Sequence, residues 1–140
     1  MNPSLLETHS VDLVTARRIA AAVTEAASEA GVAVCVAVVD PAGHLLTFDR
    51  MDRAPLLCVQ IAQDKAYTVS SFGKATHEWW EFVKDEPSLV HGLVKADRLV
   101  VYGGGLPVLS GTELVAAVGV AGGTPDQDRS FAQAGVVAAG

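Results

Sequence analysis

Two groups of polar side chains in this sequence are of the types that transfer protons in enzymes. One group flanks the predicted turn DPAGH at residues 40–44 and contains His44, Asp49 and Arg50. The other lies on one predicted helix and contains Asp64, Lys65 and Tyr67. Burial or a charged neighbour would shift the pKa of such groups toward the value that catalysis needs. Together they favour acid–base chemistry on a small organic acid, by a lyase, hydratase or isomerase.

Within this enzyme hypothesis the candidate catalytic residues are Lys65, His44 and Asp64. Lys65 or Arg50 would hold the carboxylate of the substrate, and His44 or Asp64 would move the proton. The alternative assigns these residues no chemistry, because Asp64 and Lys65 also suit a solvated helix face and His44 suits an exposed turn. Both alternatives stay open at the level of the sequence.

Aromatic side chains cluster at Trp79, Trp80 and Phe82. Such a cluster anchors an interface, fills a core or closes over an apolar ligand. The overlapping stretch HEWWE at residues 77–81 is similar to the zinc-protease pattern HExxH, but Glu81 replaces the second histidine. Two ligands do not make a zinc site, so we predict that no metal binds here.

Two stretches of the sequence are rich in glycine. In RLVVYGGGLPVLSG at residues 98–111, the three glycines Gly103–Gly105 follow an apolar run. A phosphate-binding loop needs a lysine or a following helix, and neither comes after these glycines. In VGVAGGTPDQD at residues 118–128, Thr124 and Gln127 form a predicted capping box at the start of a helix.

Both glycine-rich stretches are therefore predicted to serve the shape of the backbone rather than phosphate binding. Asp126 and Asp128 would oppose an anion at the N-terminus of the following helix. Glycine leaves space where another backbone or a flat ligand approaches closely. We expect Gly104, Gly105 and Gly123 to border one pocket and to provide clearance rather than charge.

Hydrophobic periodicity predicts the elements that position these residues. The first helix is expected to begin at Ser10, which caps it, and Pro55 is expected to open the second. The predicted helices cover 10–30, 56–71 and the stretch from Pro125, and 76–92 holds a short helix that stops before Pro87 and then a loop. The predicted strands cover 32–39, 45–50, 98–102, 107–110 and 114–120. Because the connections include hairpins, we predict an α+β fold with an antiparallel sheet of about five strands flanked by helices.

Composition places the chain among globular domains. Its length predicts one domain over 1–140, with residues 1–9 as a loose N-terminal tail. Hydrophobic residues make up 50% of the chain and charged residues only 19%, so surplus apolar surface predicts a homo-oligomer.

Cys35 and Cys58 lack a CxxC pattern and a basic motif beside them, which indicates two buried thiols in a reducing compartment.

Charge and hydropathy also exclude some classes of partner. The net charge of −6 and the scattered basic residues argue against binding to nucleic acid. No apolar run is long enough to span a bilayer, and the N-terminal stretch MNPSLLETHS has no secretion signal. We therefore expect a cytoplasmic protein whose partner is a small-molecule ligand.

Four ordered motifs together resemble the GlcG/HbpS family, also called the haem-degrading domain, which includes the C-terminal domain of PduO-type proteins. The motifs are VAVVDPAGHLLTFDRMDRAP, IAQDKAYT, RLVVYGGGLPV and VGVAGGTPDQDRSFAQAGVVA. The resemblance covers roughly residues 10–140. It implies an α+β fold like that of profilin and the Roadblock domain, homo-oligomers, and haem binding by some members.

The resemblance marks motif positions without assigning a catalytic role to any of them. Arg50, Asp64 and Lys65 are the motif residues without a structural explanation, so they are the best pocket candidates. The chain departs from the family pattern at Arg53 and Ala121, and the segment 76–92 is specialised. If ligands differ within the family, the resemblance implies that this segment is the first place to look for the difference. The ligand-binding candidates are Arg50, Tyr67, Trp79, Trp80, Gly104, Gly105 and Gly123.

The sequence supports a small-ligand-binding protein of this family, with haem or another flat apolar cofactor as the ligand. Haem iron would need an axial ligand, for which the chain offers His44, His77, His91, Tyr67 and Tyr102. One alternative is the acid–base enzyme without a cofactor. Another is an accessory subunit that docks on a metabolic enzyme through its apolar surface.

Overall fold

The chain folds around one antiparallel sheet with helices on both faces. The computed structural model describes all residues from 1 to 140. Its strands are β1 (Cys35–Val39), β2 (Leu45–Arg50), β3 (Gly105–Ser110) and β4 (Glu113–Ala121), in the spatial order β2-β1-β4-β3. Its helices are α1 (Leu13–Glu29), α2 (Leu56–Phe72), α3 (Trp79–Val83), α4 (Pro87–Gly92) and α5 (Pro125–Ala139). The predicted α+β class, an antiparallel sheet flanked by helices, is confirmed.

Side chains alternate between the two faces of β1 and β4, and a different helical layer covers each face. Val36, Val38 and Val118 belong to a buried cluster with residues of α1 and α5. The smaller Cys35 and Ala37 belong to a second buried cluster with residues of α2. The side chains on the α2 side of β1 are the smaller ones, which lets a helix approach the sheet more closely on that face.

Helix α2 lies close to the sheet because the row beneath it carries almost no side chains. Gly119 of β4 pairs with Ala37 of β1 on one side and with Gly105 of β3 on the other. A Cβ atom built on Gly119 would lie 2.6 Å from the backbone nitrogen of Ala66 and closer still to the carbonyl oxygen of Ala62. The helix can occupy this position only if residue 119 has no side chain.

Local signals set the ends of two helices as predicted. The capping box at Thr124 and Gln127 is present at the start of α5, with a proline in the first turn. Pro55 immediately precedes α2 in an extended conformation. Both signals depend on residues within one helical turn, so the sequence alone reveals them.

The predicted cap of the first helix at Ser10 is wrong. The hydroxyl of Ser10 donates to the carbonyl of Val11 at 2.9 Å instead. The cap is Asp12, whose carboxylate accepts from the backbone nitrogen of Thr15 at 2.8 Å. Serine and aspartate are about equally good N-cap residues, so residue type alone does not show which of the two caps the helix.

The segment predicted as a strand at residues 98–102 does not join the sheet, which has four strands. The hydroxyl of Thr68 on α2 donates to the carbonyl of Arg98 at 2.9 Å, and the same oxygen accepts from the backbone nitrogen of Val100 at 3.0 Å. The segment therefore satisfies its backbone against a helix side chain rather than a neighbouring strand. A short apolar run is compatible with either arrangement.

Residues 73–104, between α2 and β3, form a largely helical excursion from the sheet. It contains 3₁₀ turns at Thr76–Glu78 and Leu93–Lys95 in addition to α3 and α4. The loop predicted after Pro87 is wrong, because Pro87 begins α4. Proline suits the first helical position, where its missing N–H would have no partner. None of the helices in the protein combines the length and the apolar composition needed to cross a membrane.

Candidate functional site

A pocket of about 320 Å³, which we call the tryptophan pocket, lies between α2 and the excursion. Its hydrophobic lining includes Phe72, Trp79, Phe82, Val83 and Leu89. Its polar lining consists of Tyr67, Thr68, Ser71, Asp97 and Arg98. A concave, mostly apolar cavity with a few polar groups at its edge is the usual form of a small-molecule site, at volumes of about 300–1,000 Å³.

Trp79 is the centre of the aromatic wall of this pocket. It is only 3% exposed, and its ring meets those of Phe72 and Phe82 edge to face at centroid distances of 5.1 and 5.9 Å. Its indole Nε1 is buried and has no hydrogen-bond partner. Trp80 points elsewhere and is 56% exposed. The two adjacent tryptophans therefore have different environments, because successive residues of α3 face different directions.

Arg98 is held at the edge of the tryptophan pocket by two side chains of α2. Its Nε donates to the carboxylate of Asp64 at 2.8 Å, and its guanidinium carbon lies 3.9 Å from the centroid of the Tyr67 ring. The amide of Gln60 also donates to Asp64, at 2.8 Å. The Arg98 backbone has a φ of 65°, a left-handed conformation that non-glycine residues rarely adopt.

Lys65, also on α2, is sealed inside the protein, where it is 1% exposed. Its Nζ donates to the carbonyl of Val120 at 2.8 Å and to Oδ2 of Asp128 at 3.1 Å. Burial lowers the pKa of Lys65, and the neighbouring carboxylate of Asp128 opposes that shift. The amine therefore joins α2 to the end of β4 and the first turns of α5.

Both glycine-rich stretches meet at this buried ion pair. A Cβ atom on Gly104 would lie 2.6 Å from the Lys65 Nζ, and the backbone nitrogen of Gly123 donates to Oδ1 of Asp128 at 2.8 Å. The Lys65 Nζ also lies 5.1 Å from the centroid of the Tyr102 ring. The glycines provide clearance around a lysine and its carboxylate, and none of them lines the tryptophan pocket.

Comparison with known proteins identifies the family. The model of the family described as haem degrading protein HbpS-like matches residues 11–137. The chain belongs to the HbpS-like family. A 15.0 kDa protein from the dhaT-dhaS intergenic region of Citrobacter freundii is 40% identical over 126 residues, which are 89% of this chain and 88% of that protein.

Two solved structures share the HbpS-like fold over nearly all of the chain. The crystal structure of Klebsiella pneumoniae protein ORFY has a TM-score of 0.90 at 36% identity, and the match covers 99% of this chain and 96% of that one. The crystal structure of a PduOC–haem complex has a TM-score of 0.83 at 27% identity, and the match covers 92% of this chain and 94% of that one.

In this HbpS-like chain the three catalytic candidates have separate partners. The side chain of His44 is 81% exposed, and its Nδ1 lies 3.4 Å from the carboxylate of Asp40. Asp64 pairs with Arg98, and Lys65 is sealed inside the protein. No hydrogen bond or ion pair joins any two of the three candidates.

The ligand-binding candidates divide into those that line the tryptophan pocket and those that do not. Tyr67 and Trp79 line it. Arg50 is exposed at the end of β2, and Trp80 is exposed on α3. Among the glycine candidates, Gly104 lies beside the Lys65 amine, Gly105 packs against the Lys65 carbonyl, and Gly123 binds Asp128.

Sequence reasoning missed two residues that organise these sites. The sequence analysis gives Asp128 only a place in a motif and a negative charge that opposes an anion. It does not predict that Asp128 pairs with Lys65, 63 residues earlier in the chain. Arg98 was only part of a motif. A buried lysine requires a counter-charge, but the burial of Lys65 becomes visible only in the tertiary structure, so no local signal pointed to Asp128. No local signal distinguished Arg98 from other surface arginines.

Proposed function

We propose that this protein binds a small, flat and largely apolar ligand in the tryptophan pocket. The observation that carries the proposal is the aromatic wall formed by Phe72, Trp79 and Phe82 on one side of a 320 Å³ cavity. Edge-to-face packing fixes the rings, so the wall is present before a ligand arrives. Flat apolar molecules gain most from a wall of this kind, because the burial of apolar area favours binding.

Haem is the first candidate ligand at the level of the family, since the related PduOC structure is a haem complex. Tyr67 is the one side chain lining the pocket that belongs to the residue types commonly ligating haem iron. The apolar walls suit the edge of a porphyrin. The pocket lies at the small end of the range for ligand sites, so part of the macrocycle would extend beyond the mouth.

Titration with haemin tests this assignment. We expect a Soret band that saturates at one haemin per chain, and we expect the Tyr67→Phe variant to shift or lose that band because it lacks the phenol oxygen. Tyr102→Phe is the matched control, since Tyr102 does not line the pocket. An unchanged spectrum at micromolar haemin, or an identical band in Tyr67→Phe, would exclude this mode of haem binding. Displacement of the neutral dye N-phenyl-1-naphthylamine would then identify other apolar ligands.

The geometry gives less support to an acid–base enzyme. Lys65 is sealed from solvent and holds Asp128, so it is not available to bind a substrate carboxylate without a rearrangement. His44 and Asp64 have different partners, so no pair of them is poised for proton transfer.

We propose further that the protein is a homo-oligomer. Leu56 and Leu57 at the start of α2 are 86% and 74% exposed, and two adjacent exposed leucines favour an interface. We expect light scattering to give a mass that is a multiple of 14.5 kDa, and Leu56→Glu/Leu57→Glu to reduce it. Val94→Glu, on the excursion and 81% exposed, is the control. A monomeric mass for the unmodified protein would contradict the proposal.

A further inference from the structure

We propose that the ligand of the tryptophan pocket is an organic anion, with a flat apolar body and an anionic group such as a carboxylate that binds the terminal guanidinium nitrogens of Arg98. This inference rests on the function proposed above and adds the chemical class of the ligand and the residue that selects it. Three observations support it: how Arg98 is held, which donors in the pocket have no acceptor, and where the acidic residues lie.

Arg98 is fixed before any ligand arrives. Its Nε is bound to Asp64, its guanidinium lies over the Tyr67 ring, and its carbonyl accepts from Thr68. Its left-handed backbone costs about 1–3 kcal/mol in general, and such strain persists where the surrounding structure holds it. A guanidinium held in place loses little side-chain entropy when it binds an anion.

The pocket has hydrogen-bond donors without acceptors. The Arg98 side chain makes one hydrogen bond inside the protein, from Nε to Asp64, so neither of its terminal Nη nitrogens has a protein acceptor. The indole Nε1 of Trp79 is buried and also has no acceptor. A ligand that binds the Nη nitrogens must carry hydrogen-bond acceptors. A carboxylate suits the planar guanidinium best, since it can accept two parallel bonds.

The acidic residues nearby do not cancel this preference. Asp64 occupies the Nε edge of the guanidinium and leaves the Nη edge open. Asp97 also lines the pocket, but it is exposed, so water and salt screen its repulsion of an anion. Asp97→Asn should therefore strengthen anion binding by only about twofold.

A pair of fluorescent dyes that differ by one anionic group tests the proposal. N-phenyl-1-naphthylamine is neutral, and 1-anilinonaphthalene-8-sulfonate is the same molecule with a sulfonate. We expect the sulfonate dye to bind more tightly to the unmodified protein. We expect Arg98→Met to weaken binding of the sulfonate dye by about tenfold, which is the effect of losing a charge-assisted hydrogen bond. The affinity for the neutral dye should change by no more than about twofold.

Two further variants control for indirect effects. Arg98→Met leaves the Asp64 carboxylate without its cation, so the double variant Arg98→Met/Asp64→Asn should show the same loss without an added negative charge. Arg129→Gln removes an arginine outside the tryptophan pocket and should change neither dye. Circular dichroism and thermal unfolding confirm that each variant is folded.

The outcomes separate this inference from the proposed function. Selective weakening of the sulfonate dye by Arg98→Met supports the inference. If both dyes bind but neither responds to Arg98→Met, the inference is overturned and the apolar pocket stands. If neither dye binds the unmodified protein, the proposed function is overturned and this inference with it.

Discussion

Replacing Gly119 by valine is expected to lower the free energy of unfolding by about 3 kcal/mol or more, the upper end of the usual cost of overpacking. The residue lies in β4, directly beneath α2. Even a single Cβ atom there would overlap the carbonyl oxygen of Ala62 and lie 2.6 Å from the nitrogen of Ala66. Both neighbours are backbone atoms of a helix, so neither can rotate away as a side chain would.

The effect has the opposite sign from that predicted by strand propensity. Valine is favoured over glycine in strands, by up to about 1 kcal/mol. The overlap with α2 is larger, so we expect the net result to be strong destabilisation. Separation of α2 from the sheet would also uncover Cys35 and Ala37 on the face of β1 that the helix covers.

Urea unfolding of Gly119→Ala and Gly119→Val measures this effect. Gly92→Ala is the matched control, since no atom lies within 4 Å of the added Cβ and the backbone of Gly92 is helical, with φ −81°. Alanine is the better helix former, so this control should be neutral or up to about 1 kcal/mol more stable. A Gly119→Ala protein as stable as the unmodified one would show that α2 can move away without cost.

Lys65→Met is expected to lower the free energy of unfolding by about 3–5 kcal/mol, because it leaves a buried carboxylate without a cation. Asp128 is 2% exposed and would keep only its bond from the backbone of Gly123. The double variant Lys65→Met/Asp128→Asn should recover most of the loss. Asparagine retains an oxygen for Gly123 and removes the buried charge.

The stability of the single variant Asp128→Asn should depend on pH. Burial already lowers the pKa of Lys65, and removal of the carboxylate lowers it further because that carboxylate favours the charged amine. The unfolded chain then binds more protons than the folded one between the lowered pKa and the ordinary lysine value of 10.5. Stability of this variant should therefore rise as the pH increases through that window.

Urea unfolding of Lys65→Met, the double variant and Asp128→Asn at pH 7 and pH 9 tests the expected loss of stability and its pH dependence. The control is Lys84→Met, which breaks the exposed pair between Lys84 and Glu81 and should cost at most about 1 kcal/mol. If Lys65→Met costs no more than this control, the buried pair does not hold α2 to the start of α5. If the double variant is as unstable as Lys65→Met, the loss comes from packing of the lysine chain rather than from an unpaired charge.

The sequence alone determined those features of the protein that depend on neighbours in the chain. Hydrophobic periodicity predicted an antiparallel sheet flanked by helices, and Pro55 and the capping box at Thr124 fixed the starts of two helices. The four motifs identified the HbpS-like family, which the match over residues 11–137 confirms. Each of these signals is contained in a short stretch, so no tertiary contact is needed to read it.

Only the tertiary structure decided what the chemically capable residues do. Asp64 and Lys65 are adjacent in the sequence, but successive helix residues face different directions, so one pairs with Arg98 at the surface and the other with Asp128 in the interior. Their partners lie 34 and 63 residues away. The roles of two glycines likewise depend on this buried pair, since Gly104 leaves space for the Lys65 amine and the backbone of Gly123 donates to Asp128. Burial and charge pairing are set by packing between distant segments, which no local pattern encodes.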